Sequence, residues 1–191
     1  MPASPTSGRA EVICGPMFSG KSEELIRRLR RAMIAKKAVV CIKPAIDQRF
    51  HPTAIASHSE MSIEAIPVKD VQDIERVLDA NPEAEVIGID EAQFLSPEII
   101  PLVEQLVQQG KRVIVAGLDT TFAGEPFAPM PDLMAIADEV TKLSAVCMRC
   151  GQPAIRTQRL RGGTERVVVG AGDVYEARCR FCFQPASRPG A

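Results

Sequence analysis

The sequence predicts an α/β protein, with a central, mainly parallel sheet followed by a small C-terminal metal-binding module. Three observations carry this. Short β-branched runs alternate with stretches of helical periodicity, a complete phosphate-loop pattern follows the first such run, and two C-x-x-C pairs lie near the end of the chain. With 191 residues, 46% of them apolar, there is material for one full core and a small appendage. The charges nearly cancel, 23 Lys+Arg against 24 Asp+Glu, which removes any global electrostatic drive toward nucleic acid or an anionic membrane. No apolar run approaches the roughly 18 residues that span a bilayer, and Met1–Gly8 lacks the charged-then-apolar pattern of a leader. A cytoplasmic protein with no membrane partner is therefore expected.

The elements follow in order. Residues 1–8 and 185–191 are rich in Pro, Ser and Gly and are expected to be disordered tails. Glu11–Cys14, Ala38–Lys43, Val86–Asp90 and Arg112–Leu118 are continuous apolar runs, the mark of strands covered on both faces of a parallel sheet. Lys21–Ala35 is a helix with Leu25, Ile26, Leu29 and Met33 on one stripe. Arg27, Arg28, Arg30 and Arg31 fall largely off that stripe, as a solvated face or a subunit contact. Short helices are expected over Val71–Leu78 and Asp132–Ala137. A longer one starts at Ser96-Pro97-Glu98, an N-cap, a proline at the first helical position and a dipole-favoured acid, and ends at Gly110. Cys14 and Cys41 fall inside apolar runs and read as small core residues. The α/β domain spans 9–143. A second module, 144–184, holds Cys147-x-x-Cys150, a turn at Gly151–Pro153, strand-like stretches Ala154–Leu160 and Arg166–Val169, a glycine-containing loop and Cys179-x-x-Cys182.

Gly15-Pro16-Met17-Phe18-Ser19-Gly20-Lys21-Ser22 satisfies G-x-x-x-x-G-K-[ST] in full, after a strand and before a helix. The pattern arises by chance in roughly 0.6% of chains this long, fewer still in that context. Its physical sense is direct: glycines permit the turn, loop N–H groups and the helix N-terminus face phosphate oxygens, Lys21 neutralises phosphate charge, and the Ser22 hydroxyl reaches Mg²⁺. ATP with Mg²⁺ is the implied ligand. The strand Val86–Asp90 ends in two acids at the edge where open α/β sheets bind ligands. Asp90 fits the carboxylate that shares Mg²⁺ with Ser22, and Glu91 beside it can either activate water or take a proton from an acceptor hydroxyl. These residues alone leave both an ATPase and a kinase open.

The four cysteines Cys147, Cys150, Cys179 and Cys182, with 28 residues between the pairs, form the two-knuckle arrangement of structural Zn²⁺. A closed four-thiolate site leaves no position for water, so the metal serves folding. Arg156, Arg159, Arg161 and Arg166 lie between the knuckles without interleaved aromatics, so no nucleic-acid partner is expected.

Taken together, the loop Gly-Pro-Met-Phe-Ser-Gly-Lys-Ser, the strand Ile-Gly-Ile-Asp90-Glu91-Ala-Gln-Phe94, the segment Ala116-Gly-Leu118-Asp119-Thr-Thr-Phe122 and the two cysteine pairs with Gly-x-x-x-x-Tyr175 before the second resemble the zinc-containing type II thymidine kinases, over nearly the whole chain between its tails. The resemblance implies a P-loop recombinase-like core, a zinc ribbon with a lasso loop over the nucleoside, and a homotetramer. It implies transfer of the ATP γ-phosphate to the 5′-hydroxyl of thymidine, with deoxyuridine a second acceptor, and feedback inhibition by thymidine triphosphate. Glu91 would be the general base. Gly15, Pro16, Met17, Phe18, Ser19, Gly20, Lys21, Ser22 and Asp90 would hold ATP and Mg²⁺. Met17, Phe94, Leu118, Phe122 and Phe127 would wall the base, and Thr157, Val168, Gly170 and Tyr175 would come from the zinc module. The chain departs from the family pattern at Ser57-His58-Ser59, where members have Ser-His-Asp, so an acid implied at the phosphate and metal site is a serine here.

Overall fold

The computed structural model describes residues 8–46, 54–56, 62–161 and 174–185. Its elements are β1 (Arg9–Gly15), α1 (Lys21–Ile34), β2 (Val39–Pro44), β3 (Ala54–Ala56), β4 (Ser62–Glu64), β5 (Ile66–Val68), α2 (Val71–Asp79), β6 (Val86–Ile89), α3 (Ile99–Gln108), β7 (Arg112–Leu118), α4 (Met130–Ile136) and β8 (Glu139–Lys142). Six strands form one sheet in the order β5-β2-β6-β7-β1-β8, and each neighbouring pair is parallel. The four strands expected from apolar runs are its centre. The two edges carry no such run: β8 is Glu-Val-Thr-Lys, with a single apolar residue, and β5 contains Pro67, which an edge strand tolerates because one side of its backbone needs no ladder bond. β3 and β4 pair as a separate antiparallel hairpin.

Alternation along the central strands divides the core between two faces. Val12, Cys14, Ile87, Ile89, Val113 and Val115 pack with Ile74 of α2, Leu102, Val103 and Leu106 of α3, and Leu133 of α4. Ile13, Cys41, Ile114 and Ala116 pack with Leu25, Ile26 and Leu29 of α1. Gly88 lets α1 sit directly on β6, since a Cβ there would lie 2.6 Å from Leu29 Cδ1. Cys14 and Cys41 are buried core thiols, as expected, and burial pushes both well above the usual thiol range.

Three local readings need correction. Helix α3 begins at Ile99, with Glu98 and not Ser96 as its cap residue: Ile99 N and Ile100 N donate to Ser96 O and Pro97 O, a tight i to i+3 turn that precedes the α-helix, and the Glu98 side chain makes no capping bond to the helix. Its far end is as expected. Gly110, at φ 82°, and Lys111 return their N–H groups to Val107 O and Leu106 O. On α1, Met33 is 49% exposed and off the core stripe, whereas Arg28 is only 8% exposed. Third, α4 starts two residues earlier than expected, at Met130.

Arg28 is buried because it answers Glu11, a carboxylate on β1 with 1% exposure. Glu11 accepts from Arg28 Nη1 at 2.6 Å and from Arg112 Nε and Nη2 at 2.6 and 3.0 Å, with Arg9 Nε 3.0 Å away. Arg28 also donates to Glu24 and Thr141, both at 2.8 Å. Burial alone would raise the Glu11 carboxyl, but the bonds from Arg112 and Arg28 and the charges around it outweigh that and hold it below the usual carboxylate range. Part of the arginine cluster is thus internal.

After β8 the chain forms β9 (Ala145–Val146), β10 (Pro153–Ala154), β11 (Arg156–Arg159) and β12 (Tyr175–Arg178), paired antiparallel as β9 with β10 and β11 with β12. Ala145, Cys147, Ala154, Ala177 and Cys179 make a core of their own. The expected strand Arg166–Val169, the lasso loop with Val168 and Gly170, Ser57–Ser59, and the tails apart from Gly8 and Pro185 lie outside the described residues. Among the described residues, no helix is long and apolar enough to cross a membrane.

Candidate active site and metal centre

In the sheet β6, β7 and β1 are neighbours, so their carboxyl ends deliver Asp90, Leu118 and Gly15 to one edge. The phosphate loop turns from β1 into α1 there. Gly15, at φ 146°, has no space for a side chain, since a Cβ would lie 2.5 Å from Leu143 O, and Gly20 takes the left-handed conformation at the start of α1. Phe18 is left-handed as well, at φ 66°. Inside the loop, Ser19 Oγ and Lys21 Nζ both donate to Pro16 O, at 2.8 and 2.7 Å.

Ser22 Oγ donates to Asp90 Oδ2 at 2.9 Å, joining the first turn of α1 to the end of β6. The Asp90 carboxyl is buried and pushed well above its ordinary range, by burial first and then by the neighbouring charge of Glu91. The Ser22 hydroxyl, the Glu91 N–H and Lys21 work against that shift. A hydroxyl and a buried acid held this way are a suitable pair of oxygen donors for Mg²⁺, which would favour the ionised form of Asp90. Glu91 turns the chain out of β6 at φ 51° and opens a short turn, Ala92–Phe94. A non-glycine residue there costs of order 1 kcal/mol or more and needs support. Asp90 Oδ1 accepts from Glu91 N at 3.0 Å, and the Gln93 side-chain amide donates to the Glu91 carboxylate.

The loop after β7 is a short hairpin, with Thr121 N on Glu125 O and Phe127 N on Asp119 O. It presents Phe122 and Phe127. The Phe127 ring meets Phe94 edge to face, centroids 6.3 Å apart and planes at 88°, and Leu118 is buried at the strand end. Met17 N donates to Thr157 Oγ1 at 3.0 Å, which ties the phosphate loop to β11. The Arg159 guanidinium lies 3.7 Å from the centroid of Phe122 and donates to Tyr175 Oη at 3.0 Å. Phe183 packs where a Cβ on Gly124 would come within 3.0 Å. The expected residues thus gather in three contacts: Met17 with Thr157, Phe94 with Phe127, and Phe122 with Tyr175 through Arg159.

Sequence reasoning missed Arg159 and Gln93 as site residues. Arg159 was hidden among neighbouring arginines and acquires its place only from β11 pairing with β12, which sets it opposite Tyr175. Gln93 did carry a signal, as a polar residue inside an otherwise apolar turn two positions after the paired acids.

The Sγ atoms of Cys147, Cys150, Cys179 and Cys182 all lie within 4.8 Å of one another, and Cys150 and Cys179 are 3.7 Å apart. Four sulfurs tetrahedral about a zinc at about 2.3 Å would be about 3.8 Å apart, so the donor set fits the metal. Burial works against ionising Cys147, yet backbone N–H groups bring it down to about 6, while neighbouring sulfurs push Cys182 up to about 12. These four cysteines would hold Zn²⁺ as the structural metal of this module.

The thymidine kinase family model matches residues 8–183. The chain is 50% identical over 180 residues to a protein from Bdellovibrio bacteriovorus, covering 94% of this chain and 87% of the relative. It is 52% identical to one from a Rhodothermus species (93% and 82% covered) and 54% identical to one from Coprothermobacter proteolyticus (91% and 89%). All three are named thymidine kinase. Among solved structures, domain III of the replication initiation protein DnaA from Thermotoga maritima matches 74% of this chain and 57% of its own at TM-score 0.45 and 16% identity, too loose a likeness to bear on fold or function. A family match from the first described residue almost to the last, with half the residues identical across more than nine tenths of the chain, makes this protein a member of the thymidine kinase family.

Proposed function

We propose that this protein transfers the γ-phosphoryl group of ATP to the 5′-hydroxyl of thymidine, in the salvage of nucleosides for DNA synthesis. The observation that carries the reading is the placement of Glu91 directly beside the Ser22–Asp90 pair at the mouth of the phosphate loop. An alcohol is a weak nucleophile. The Glu91 carboxylate takes its proton as the new O–P bond forms and ADP departs, so charge does not build on the attacking oxygen. Lys21 and the loop N–H groups hold the phosphates, and Ser22 and Asp90 would hold Mg²⁺, which when bound would supply charge neutralisation at the phosphoryl oxygens. Met17, Phe94, Leu118, Phe122 and Phe127 form the apolar wall that receives the base. Thr157 and Tyr175 close over it from the zinc module; the nucleoside contacts expected of Val168 and Gly170 lie outside the described residues. The working division is a nucleotide domain, 9–143, and a zinc and lid module, 144–184.

Finer points belong to the same reading: deoxyuridine as second acceptor, thymidine triphosphate as a product-like inhibitor bound across the two sites, a homotetramer and a cytoplasmic location. The test is ATP-dependent phosphorylation of the four deoxynucleosides and deoxyuridine with Mg²⁺, beside ATP hydrolysis with no acceptor and with single-stranded DNA. Thymidine monophosphate with negligible idle hydrolysis is expected. Glu91→Gln lowers turnover at least about 100-fold while ATP still binds. Hydrolysis that needs no nucleoside and rises with DNA would make Glu91 a water-activating residue and overturn the proposal.

A further inference from the structure

We infer that Gln93 is the positioning residue for the catalytic carboxylate, locking Glu91 to the carboxyl end of β7. The inference rests on Glu91 being the base. Gln93 is 4% exposed, and a buried primary amide is costly unless its polar atoms are bonded. Its Oε1 accepts from Leu118 N at 2.9 Å. A main-chain N–H can only donate, so this bond decides which end of the amide is oxygen, and Nε2 must point the other way. That way is Glu91, whose Oε2 accepts from it.

The seat is shaped for this side chain. A Cβ at Gly117 would lie 2.8 Å from Gln93 Oε1 and 2.6 Å from Met130 Sδ, so only glycine leaves both in place. Glu91 has three side-chain torsions and a left-handed backbone at the start of a one-turn helix, and the Gln93 amide, fixed at its other end on Leu118 N, gives its carboxylate a defined direction. An amide suits that duty. It orients the carboxylate through one N–H, has no proton to exchange near neutral pH, and leaves the negative charge available to the substrate hydroxyl, where a lysine or arginine would neutralise it.

The test is kcat and KM of Gln93→Glu, Gln93→Leu, Glu91→Gln and the double variant Glu91→Gln/Gln93→Leu. Gln93→Glu keeps the shape and the acceptor for Leu118 N but turns a second carboxylate toward Glu91. Each single change at Gln93 is expected to lower kcat about 10–100-fold, the usual cost of removing a group that orients a functional side chain. KM for ATP and thymidine should move less than about 3-fold, as for an interaction felt in the transition state alone. In the Glu91→Gln background, Gln93→Leu should cost less than about 2-fold more, because its effect runs through the missing carboxylate. Wild-type kcat in Gln93→Glu, or a loss from Gln93→Leu that persists undiminished beside Glu91→Gln, overturns the inference and leaves Glu91 as base. Near-normal turnover in Glu91→Gln itself removes the base, and this inference with it.

Discussion

Removing zinc should unfold the C-terminal module and leave the α/β sheet intact. The buried apolar cluster around the sulfurs consists of Ala145, Cys147, Ala154, Ala177 and Cys179. Each contributes about one buried methyl-sized group, worth roughly 0.8 kcal/mol, so together about 4 kcal/mol. Bound structural zinc contributes about 10–16 kcal/mol at neutral pH, several times more. The pairs β9–β10 and β11–β12 are short, two and four residues per strand, and neither hairpin is stable in water unaided. The damage also has a defined reach. When β11 is lost, Thr157 no longer accepts from Met17 N, so one amide of the phosphate loop loses its partner across the site. Hydrogen exchange read by mass spectrometry after chelation, with zinc release verified by metal analysis, checks this. Protection should collapse in β9–β12 and fall about 10-fold at Met17, a little over 1 kcal/mol, while β1, β6 and β7 exchange as before. Thymidine phosphorylation should be lost with it. Unchanged protection of β11 and β12 in verified metal-free protein would refute the reasoning.

Other substitutions probe the remaining features. Glu11→Gln leaves Arg28 and Arg112 facing each other without their shared counter-charge, and the expected loss is about 3 kcal/mol, the low end for a broken buried pair because Arg9 and Arg112 are partly exposed. That corresponds to a Tm lowered by roughly 6–12 °C. The Glu11 carboxyl sits below its ordinary value in the folded state, so it adds stability above the ordinary glutamate range and loses it as pH falls below about 4.5. The gap between wild type and Glu11→Gln must therefore narrow in acid, and thermal melts showing it widen would contradict the assignment. Thr157→Val keeps the shape but not the acceptor, and should raise KM for thymidine about 3–10-fold with Tm nearly constant; an unchanged KM means the Met17 bond plays no part in the closed site. Gly117→Ala crowds Gln93 and Met130, at an expected cost of about 1–3 kcal/mol in thermal melts together with a fall in kcat.

The centre of the fold was legible because parallel strands buried on both faces must be continuously apolar, and Glu11–Cys14, Val86–Asp90 and Arg112–Leu118 have no other use for such runs. Edge strands obey no such demand, which is why Ile66–Val68 and Glu139–Lys142 gave no comparable signal. Helix ends were readable where a backbone need selects the residue, as at Gly110, and misread where several polar residues could serve, as at Ser96. The site split along the same line. Lys21, Ser22 and the cysteines stand in fixed local spacing, whereas the Ser22–Asp90 bond, the Arg159 stack and the clamp from Leu118 through Gln93 to Glu91 depend on which strands become neighbours. Periodicity cannot report that. Arg28 shows the same limit, since a charged residue on a helix counts as solvated until a buried partner such as Glu11 is found.

The position of β1 in the sheet has a consequence for how the chain comes into being. Among the described strands β1 pairs with β7 and β8, both far later in the chain, Arg9 standing beside Arg112 and Glu11 beside Glu139. On the ribosome, β1 therefore emerges well before the strands it pairs with, and both of its edges wait unpaired until β7 and then β8 have been made. Contacts so distant along the chain close slowly, and an apolar strand without neighbours is exposed to aggregation and to chaperones in the interval. A nascent chain halted before β7 holds the whole phosphate-loop motif but neither of the two strands that flank β1.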